Sequence, residues 1–385
     1  MSILKGLFLS VLREGYVYAA IIVVTLELSL RMLAPFSPTV RLLLWSPANG
    51  VQYDFIRTVD DVARFLPTMW KPGSYHAGYR LDEHGFWTEP YETLKTEGTI
   101  RLVAIGDSFT YSSGGVPRPK LWHSVLASQL SKQFNAPVQD VNLGLPGAGP
   151  RLEKRVLEIE GLRIQPDIVT LALFMGNDFT DEIDTRPWIL KVSYTSRFLS
   201  ALVRLPEQLR TLRKTGGLFQ SPAEYFEPGK YHYDRNVVSF PDDAFRRIEI
   251  ERSQLFSPDN ESVLRKLSSE VADVVLDMKR QSEAAGAKFI VMLIPDEVQV
   301  NAKLRSSMNA ELASRNLAPV DAAGAQTIVL KNLADRGIDV VDTLPMLTKE
   351  AQNFRSPYRI NDTHWDERGN LIGGEAVAAF LATHP

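Results

Sequence analysis

Five short runs rich in apolar and β-branched residues recur along this chain: Arg101–Ile105, Val138–Val141, Asp167–Phe174, Lys288–Ile294 and Ile338–Val341. Between them lie segments with apolar residues at helical spacing, such as Leu121–Phe134 and Asn260–Ala285. A short apolar run bounded by turn residues reads as a strand covered on both faces, and the helical segments supply the length that parallel crossovers need. The fold class expected is therefore α/β, a doubly wound parallel sheet of five strands. Sheets of this kind place their sites at the carboxyl ends of the strands.

The first three runs open onto turn-forming blocks: Gly106-Asp107-Ser108, Asn142-Leu143-Gly144-Leu145-Pro146-Gly147 and Gly176-Asn177-Asp178. A fourth block, Asp362-Thr363-His364-Trp365, precedes a helical pattern at Asn370–Ala382. Gly, Asp, Asn and Ser are ordinary turn and cap residues, so no single block is informative. Their order and placement are. Together they supply a hydroxyl nucleophile, an imidazole base beside a carboxylate, and N–H donors for a developing oxyanion. On spacing alone Asp107 and Asp178 read as loop and cap residues, and Gly144 as a tight-turn glycine.

The four blocks resemble those of the SGNH/GDSL hydrolase family over roughly Ile100 to Pro385. The resemblance implies a flavodoxin-like three-layer fold with Ser108 as nucleophile, His364 as base, and Ser108, Gly147 and Asn177 as oxyanion donors. The family usually places an aspartate three residues before the histidine. Here position 361 is Asn, and the carboxylate is Asp362, two residues before His364. That Asp-x-His-Trp spelling is similar to alginate O-acetyltransferase relatives, and Asp362 becomes the residue that orients the imidazole. Tyr358 and Arg359, just before this block, are candidate substrate contacts. Pro295-Asp296-Glu297 opens onto the same edge and reads as a solvated loop.

At the N-terminus, Gly15–Leu26 is an uncharged run of 12 residues, about 18 Å of helix against a hydrocarbon core of about 30 Å. Extension to Leu33 brings the helix to roughly 28 Å and takes in the i,i+4 pair Glu27 and Arg31. Residues 1–33 are read as a single-pass anchor. Lys5 and Arg13 before the span favour a cytoplasmic N-terminus and an exported catalytic domain, hence the bacterial inner membrane with the domain in the periplasm. A cleaved signal peptide and an interfacial helix are the alternatives.

Residues 34–99 read as a juxtamembrane linker and accessory segment, and 100–385 as the hydrolase domain with an insertion at 179–258. Within that insertion Trp188–Arg213 has the pattern of a basic amphipathic helix, suited to covering a site, packing on the core, or lying on an anionic membrane. Aromatic residues from Tyr225 to Tyr233 suit a lid or substrate rim.

The chain has no cysteine, and its net charge of −3 is spread along it, which excludes disulfides and leaves no nucleic-acid footprint. It carries no His-Glu-x-x-His, Walker or dinucleotide motif, so no metal or other cofactor is expected. The function expected is a serine esterase acting on ester groups, in particular O-acetyl groups, of a cell-envelope or exported polysaccharide. Alternatives are an O-acetyltransferase served by a membrane acyl-donor protein, a lipase or thioesterase, and a non-catalytic glycan-binding scaffold.

Overall fold

The computed structural model describes residues 2–44, 56–65, 72–112, 114–181, 187–215 and 231–384. The chain forms two compact units. One combines Met1–Arg57 with Asp184–Leu218, and the other combines Thr58–Ile183 with Phe219–Pro385. This division cuts across the boundaries expected from sequence, because part of the insertion groups with the N-terminal helix.

The larger unit is built on strands β3 (Ile100–Gly106), β4 (Val138–Asn142), β5 (Ile168–Phe174), β6 (Lys288–Ile294) and β7 (Val340–Asp342). A short hairpin, β1 (Tyr75–His76) and β2 (Tyr79–Arg80), precedes them, with Ala77 and Gly78 both at positive φ in its two-residue turn. The sheet order is β4-β3-β5-β6-β7, all parallel. The chain leaves β3 for β4 on one side and then crosses to β5 on the other, so the crevice at the carboxyl ends of β3 and β5 is the topological switch point. Sequence-level expectation and structure agree on this sheet.

Its strands alternate. Leu102 and Ala104 join Ile290, Met292 and Val341 in a core cluster with Trp122, Leu126, Val377 and Leu381 of the helices Trp122–Phe134 and Glu367–Thr383. By the two-residue period of a strand, Val103 and Ile105 turn to the opposite face, and both are fully buried. A strand buried on both faces must be apolar at consecutive positions, which is the pattern the sequence shows. Arg101 is the exception. Its guanidinium reaches out of the sheet to the carbonyls of Thr93 (3.2 Å) and Glu92 (2.9 Å), so the segment before β3 is tied to the sheet edge.

In the smaller unit the helix Ser2–Leu33 is followed by Pro38–Leu44, and Trp188–Val192 by Tyr194–Thr215. The amphipathic stretch expected as one helix is broken at Ser193. The break has a local cause: the Glu27 carboxylate accepts hydrogen bonds from Ser193 Oγ (3.0 Å) and from the N–H groups of Tyr194 (3.1 Å) and Thr195 (2.8 Å), which fixes a new helix start there.

Candidate active site

Ser108 sits at the first turn of a one-turn helix, Ser108–Tyr111, that starts where β3 ends. Asp107 caps it, accepting from Phe109 N at 2.9 Å. The following strand end locks this turn from outside. Asn142 Nδ2 donates to the Thr110 carbonyl (2.9 Å), and Asn142 Oδ1 accepts from Gly144 N (2.9 Å). Asn142 Nδ2 also lies 3.1 Å from His123 Nε2, while His123 Nδ1 pairs with Asp140 at 2.7 Å. His123 therefore belongs to the scaffold, as a neutral ring accepting from Asn142 and donating to Asp140.

Gly144 is not the turn glycine that its spacing suggested. A Cβ there would lie 2.6 Å from Tyr111 N, so its absence lets the two loops touch. The positive φ, +71°, belongs to Gly147, whose side faces open space. Neither the Gly147 N–H nor the Ser108 N–H has a hydrogen-bond partner among the described residues.

The fourth block is presented on a tight loop. Tyr358 and Trp365 form an antiparallel bridge, and Arg359 N donates to the His364 carbonyl at 3.0 Å. Asn361 at the tip takes φ +49°. Behind it Trp365 is buried edge-on against Phe109, 5.5 Å between centroids, and Phe109 lies 5.2 Å from the His364 ring. The nucleophile helix thus supplies packing for the imidazole as well as the hydroxyl.

The result is a continuous hydrogen-bonded chain. His364 Nε2 lies 2.8 Å from Ser108 Oγ, and His364 Nδ1 lies 2.6 Å from Asp362 Oδ1. Asp362 also accepts from His364 N at 3.0 Å. With Nδ1 protonated and held by the carboxylate, Nε2 is free to accept the serine proton, so the arrangement can generate a nucleophilic alkoxide and store the proton on the ring.

Electrostatics sort the carboxylates. Burial alone would raise the pKa of Asp362, but the hydrogen bond and charge of His364, with a further hydrogen bond from Ser239, bring it down to about 2. Asp107, fully buried under Ser108, is pushed up by desolvation. Asp178 is pushed well up by desolvation and by the charges of Asp107 and Glu153, although its Oδ2 accepts from Phe174 N at 2.6 Å. Asp362 is the acid whose surroundings hold it ionised beside the imidazole, and environments that drive carboxylates apart assign their roles.

Asn177 lies just past β5. Its Nδ2 donates to Asp181 Oδ2 at 2.5 Å, which leaves its second N–H unspent. Asp181 is raised to about 6 by burial, against the lowering effect of that same hydrogen bond. Beside Ser108 opens a narrow recess of about 10 Å³ lined by Phe109, Ser112, Gly114, His364 and Trp365.

Several sequence-based expectations need correction. Tyr358 cannot meet substrate: it is 4% exposed, and its hydroxyl donates to the Pro295 carbonyl at 2.6 Å. Arg359 faces the protein, donating to the Gly114 carbonyl with its Nε 3.9 Å from Asp362 Oδ2. Asp296 and Glu297 are buried; Asp296 is the N-cap of a capping box, and Glu297 accepts from Ser356 Oγ (2.6 Å). Of the aromatic stretch Tyr225–Tyr233, the part before Tyr231 lies outside the described residues. The rest straps the site. Tyr231 Oη donates to the Gly115 carbonyl, Ser239 N to the Ile360 carbonyl (3.1 Å), and Phe240 N to the Asn361 carbonyl (3.2 Å). Nothing local in the sequence marks this strap, because its partners lie more than a hundred residues away.

Residues 254–385 match the family model of the SGNH hydrolase-like domain of the acetyltransferase AlgX. This part of the chain is similar to that SGNH hydrolase-like domain. The match takes in Asp362 and His364; Ser108, Gly147 and Asn177 precede it and join it through the sheet and the 2.8 Å contact at the imidazole. The enzyme class is that of an SGNH-type hydrolase or a related O-acetyltransferase. Among solved structures, the chain is similar to a G-D-S-L family lipolytic protein from Desulfitobacterium hafniense DCB-2, at 14% identity and TM-score 0.33, covering 72% of this chain and 98% of that one. It is also similar to the acetylxylan esterase Axe2 from Geobacillus stearothermophilus, at 14% identity and TM-score 0.36, covering 72% and 92% respectively. No curated protein sequence matches the chain.

Proposed function

We propose that the protein is a serine esterase that removes short acyl groups, O-acetyl in particular, from a cell-envelope or exported polysaccharide. The observation that carries this reading is the unbroken hydrogen-bonded chain from Asp362 through His364 to Ser108. Ser108 Oγ attacks the ester carbonyl while His364 Nε2 takes its proton. The tetrahedral oxyanion is held by the N–H groups of Ser108 and Gly147 and the spare N–H of Asn177. Collapse expels the sugar alkoxide, which receives the proton from His364 and leaves an acyl-serine. Water, deprotonated by His364, then attacks that acyl group, and a second collapse releases the carboxylic acid and restores Ser108. Asp362 stays ionised throughout and stabilises the imidazolium. The recess beside Ser108, about 10 Å³, has room for little more than one water, which disfavours a long acyl chain.

The helix Ser2–Leu33 is proposed as the single membrane anchor. Residues Glu14–Leu33 are long and apolar enough to cross a bilayer, and Tyr16 (74% exposed) and Ile22 (66%) are largely uncovered. With the catalytic unit on the outer side of the bacterial inner membrane, substrate would be an envelope or exported glycan.

A second reading, transfer of the acyl group to a glycan hydroxyl, is favoured by the match to the domain of an acetyltransferase. It uses the same acyl-serine with a sugar hydroxyl replacing water, the acyl group being supplied by a membrane acyl-donor protein. Purified protein incubated with a chromogenic acetyl ester, with and without an oligosaccharide acceptor, separates the two. Esterase action predicts chromophore and acetate in equal amounts, regardless of acceptor. Acetylated oligosaccharide at the expense of acetate would replace the first reading with the second.

A further inference from the structure

Glu27 and Arg31 carry their charges on a helix otherwise uncharged from Gly15 to Leu33, and the structure shows where they are used. Arg31 Nε donates to Glu27 Oε1 at 2.7 Å, and Arg31 Nη2 donates to the Val192 carbonyl at 2.5 Å, at the end of the helix Trp188–Val192. Glu27 takes the Tyr194 and Thr195 N–H groups that begin the next helix. Each charge thus meets the helix end of opposite partial charge, cation on the carbonyl terminus and anion on the amide terminus. The Arg31 guanidinium also lies 4.5 Å from the centroid of the Tyr194 ring. The junction of the two helices is therefore fastened to the anchor at a defined height.

That height is low. From Glu14 to Leu26 there are 13 residues, about 20 Å of helix against a hydrocarbon core of about 30 Å. With Glu14 at the near edge, a junction at Glu27 lies about 10 Å below the far edge of that core, the limit of the about 5–10 Å to which interfacial helices bury their apolar face. Both helices carry such a face. Trp188 (72% exposed), Ile189 and Val192 on the first, and Leu199, Leu202 and Val203 (81%) on the second, are large apolar side chains exposed to solvent. Charge points to the same occupant. Trp188–Thr215 contains Lys191, Arg197, Arg204, Arg210, Arg213 and Lys214 against the single acid Glu207, in a chain whose net charge is −3. Of these, Arg197 is spent on the carbonyls of Leu190 (2.6 Å) and Lys191 (2.7 Å).

We propose that Trp188–Val192 and Tyr194–Thr215 form an interfacial helix pair that lies on a bilayer containing anionic lipid, set at its depth by the Glu27–Arg31 clamp of the anchor. The inference rests on the anchor reading of Ser2–Leu33 and is independent of the chemistry at Ser108.

The cysteine-free sequence makes a direct test possible. Full-length V23C and V203C, each labelled with an environment-sensitive fluorophore, are reconstituted in vesicles of phosphatidylcholine with or without phosphatidylglycerol, and quenching by lipids carrying a nitroxide on the acyl chain is read. Expected are quenching at both positions, stronger quenching at position 203 when phosphatidylglycerol is present, and loss of most of it there, but not at position 23, when E27A is added. Quenching at position 23 with none at 203 overturns the inference and leaves the anchor. No quenching at position 23 overturns both. A disulfide forming between two copies of unlabelled V203C in vesicles assigns this face to a second copy of the chain and likewise overturns it.

Discussion

The two loops that meet at the Ser108–His364 contact are held by different means. The nucleophile turn is fastened by its neighbours in the sheet: Asp107 caps it, Asn142 bonds to Thr110 and Gly144, and Gly144 admits the close approach of the two strand ends. These parts are buried and packed against the core. The histidine loop is fastened from far along the chain. Ser239 and Phe240 pair with its backbone, Arg359 ties it to Gly114, and Tyr231 holds the adjoining Gly115. The nucleophile is thereby built into the fold, whereas the base is positioned by a strap that the fold does not require. Damage to the first should appear chiefly as lost stability, and damage to the second chiefly as lost turnover.

The largest effect is expected where the histidine loop carries its charge. D362N removes the carboxylate that fixes the Nδ1–H tautomer and should lower kcat by about 10²–10⁴-fold. N361A changes a tip residue whose side chain, among the described residues, bonds to the Phe240 carbonyl at 3.3 Å, and should cost less than about tenfold. Steady-state kinetics on both variants checks the ranking; equal losses would move the orienting role away from Asp362.

Next comes a pair that separates the two loops. N142A leaves the Gly144 N–H and the Thr110 carbonyl without their buried partner and should destabilise the fold by about 2–4 kcal/mol in denaturant unfolding, as expected for a broken buried network. R359A should lower kcat by roughly tenfold, with KM and stability nearly unchanged, because it frees a loop whose backbone remains paired. A reversed pattern would show that the strap is structural and the sheet edge dispensable.

How far this was legible in the sequence follows the same division. The five strands were readable because burial on both faces demands consecutive apolar residues, although β7 pairs only over Val340–Asp342, since Ile338 and Asp339 precede the paired stretch at the sheet edge. The blocks containing Ser108, Asn142, Asn177 and Asp362 were readable because they end strands or precede a helix. Tyr358 was misread: only tertiary structure shows its hydroxyl bonded to Pro295. Asp296 and Glu297 were misread for a related reason, since a carboxylate just after a strand-ending proline looks solvated until a helix start and Ser356 are folded over it. The break at Ser193 depends on Glu27, more than 160 residues away.

Glu297 supplies the most local test. Burial raises its pKa to about 7 from an ordinary 4.5, with the hydrogen bonds from Ser356 and Asn301 acting against the shift. A raised carboxyl pKa means that the folded state binds a proton the unfolded state has released, so stability falls as pH rises from about 4.5 to about 7 and levels off above, a total of about 3 kcal/mol at 1.36 kcal/mol per pH unit. E297Q keeps the acceptor oxygen and should flatten that segment of the stability curve, with its advantage over wild type complete by about pH 7 to 8. Parallel melting-temperature curves for the two proteins from pH 4.5 to 8 would place the pH dependence elsewhere.

The central claim is that the Asp362–His364–Ser108 chain makes Ser108 an acyl carrier. The most direct measurement is intact-protein and peptide mass spectrometry after rapid mixing with an activated acetyl ester, on wild type, H364A and S108A. The account predicts one acetyl group on the peptide containing Ser108, formed at least about a thousandfold more slowly in H364A and absent in S108A. Acetylation of another residue, or undiminished turnover by S108A, would contradict it.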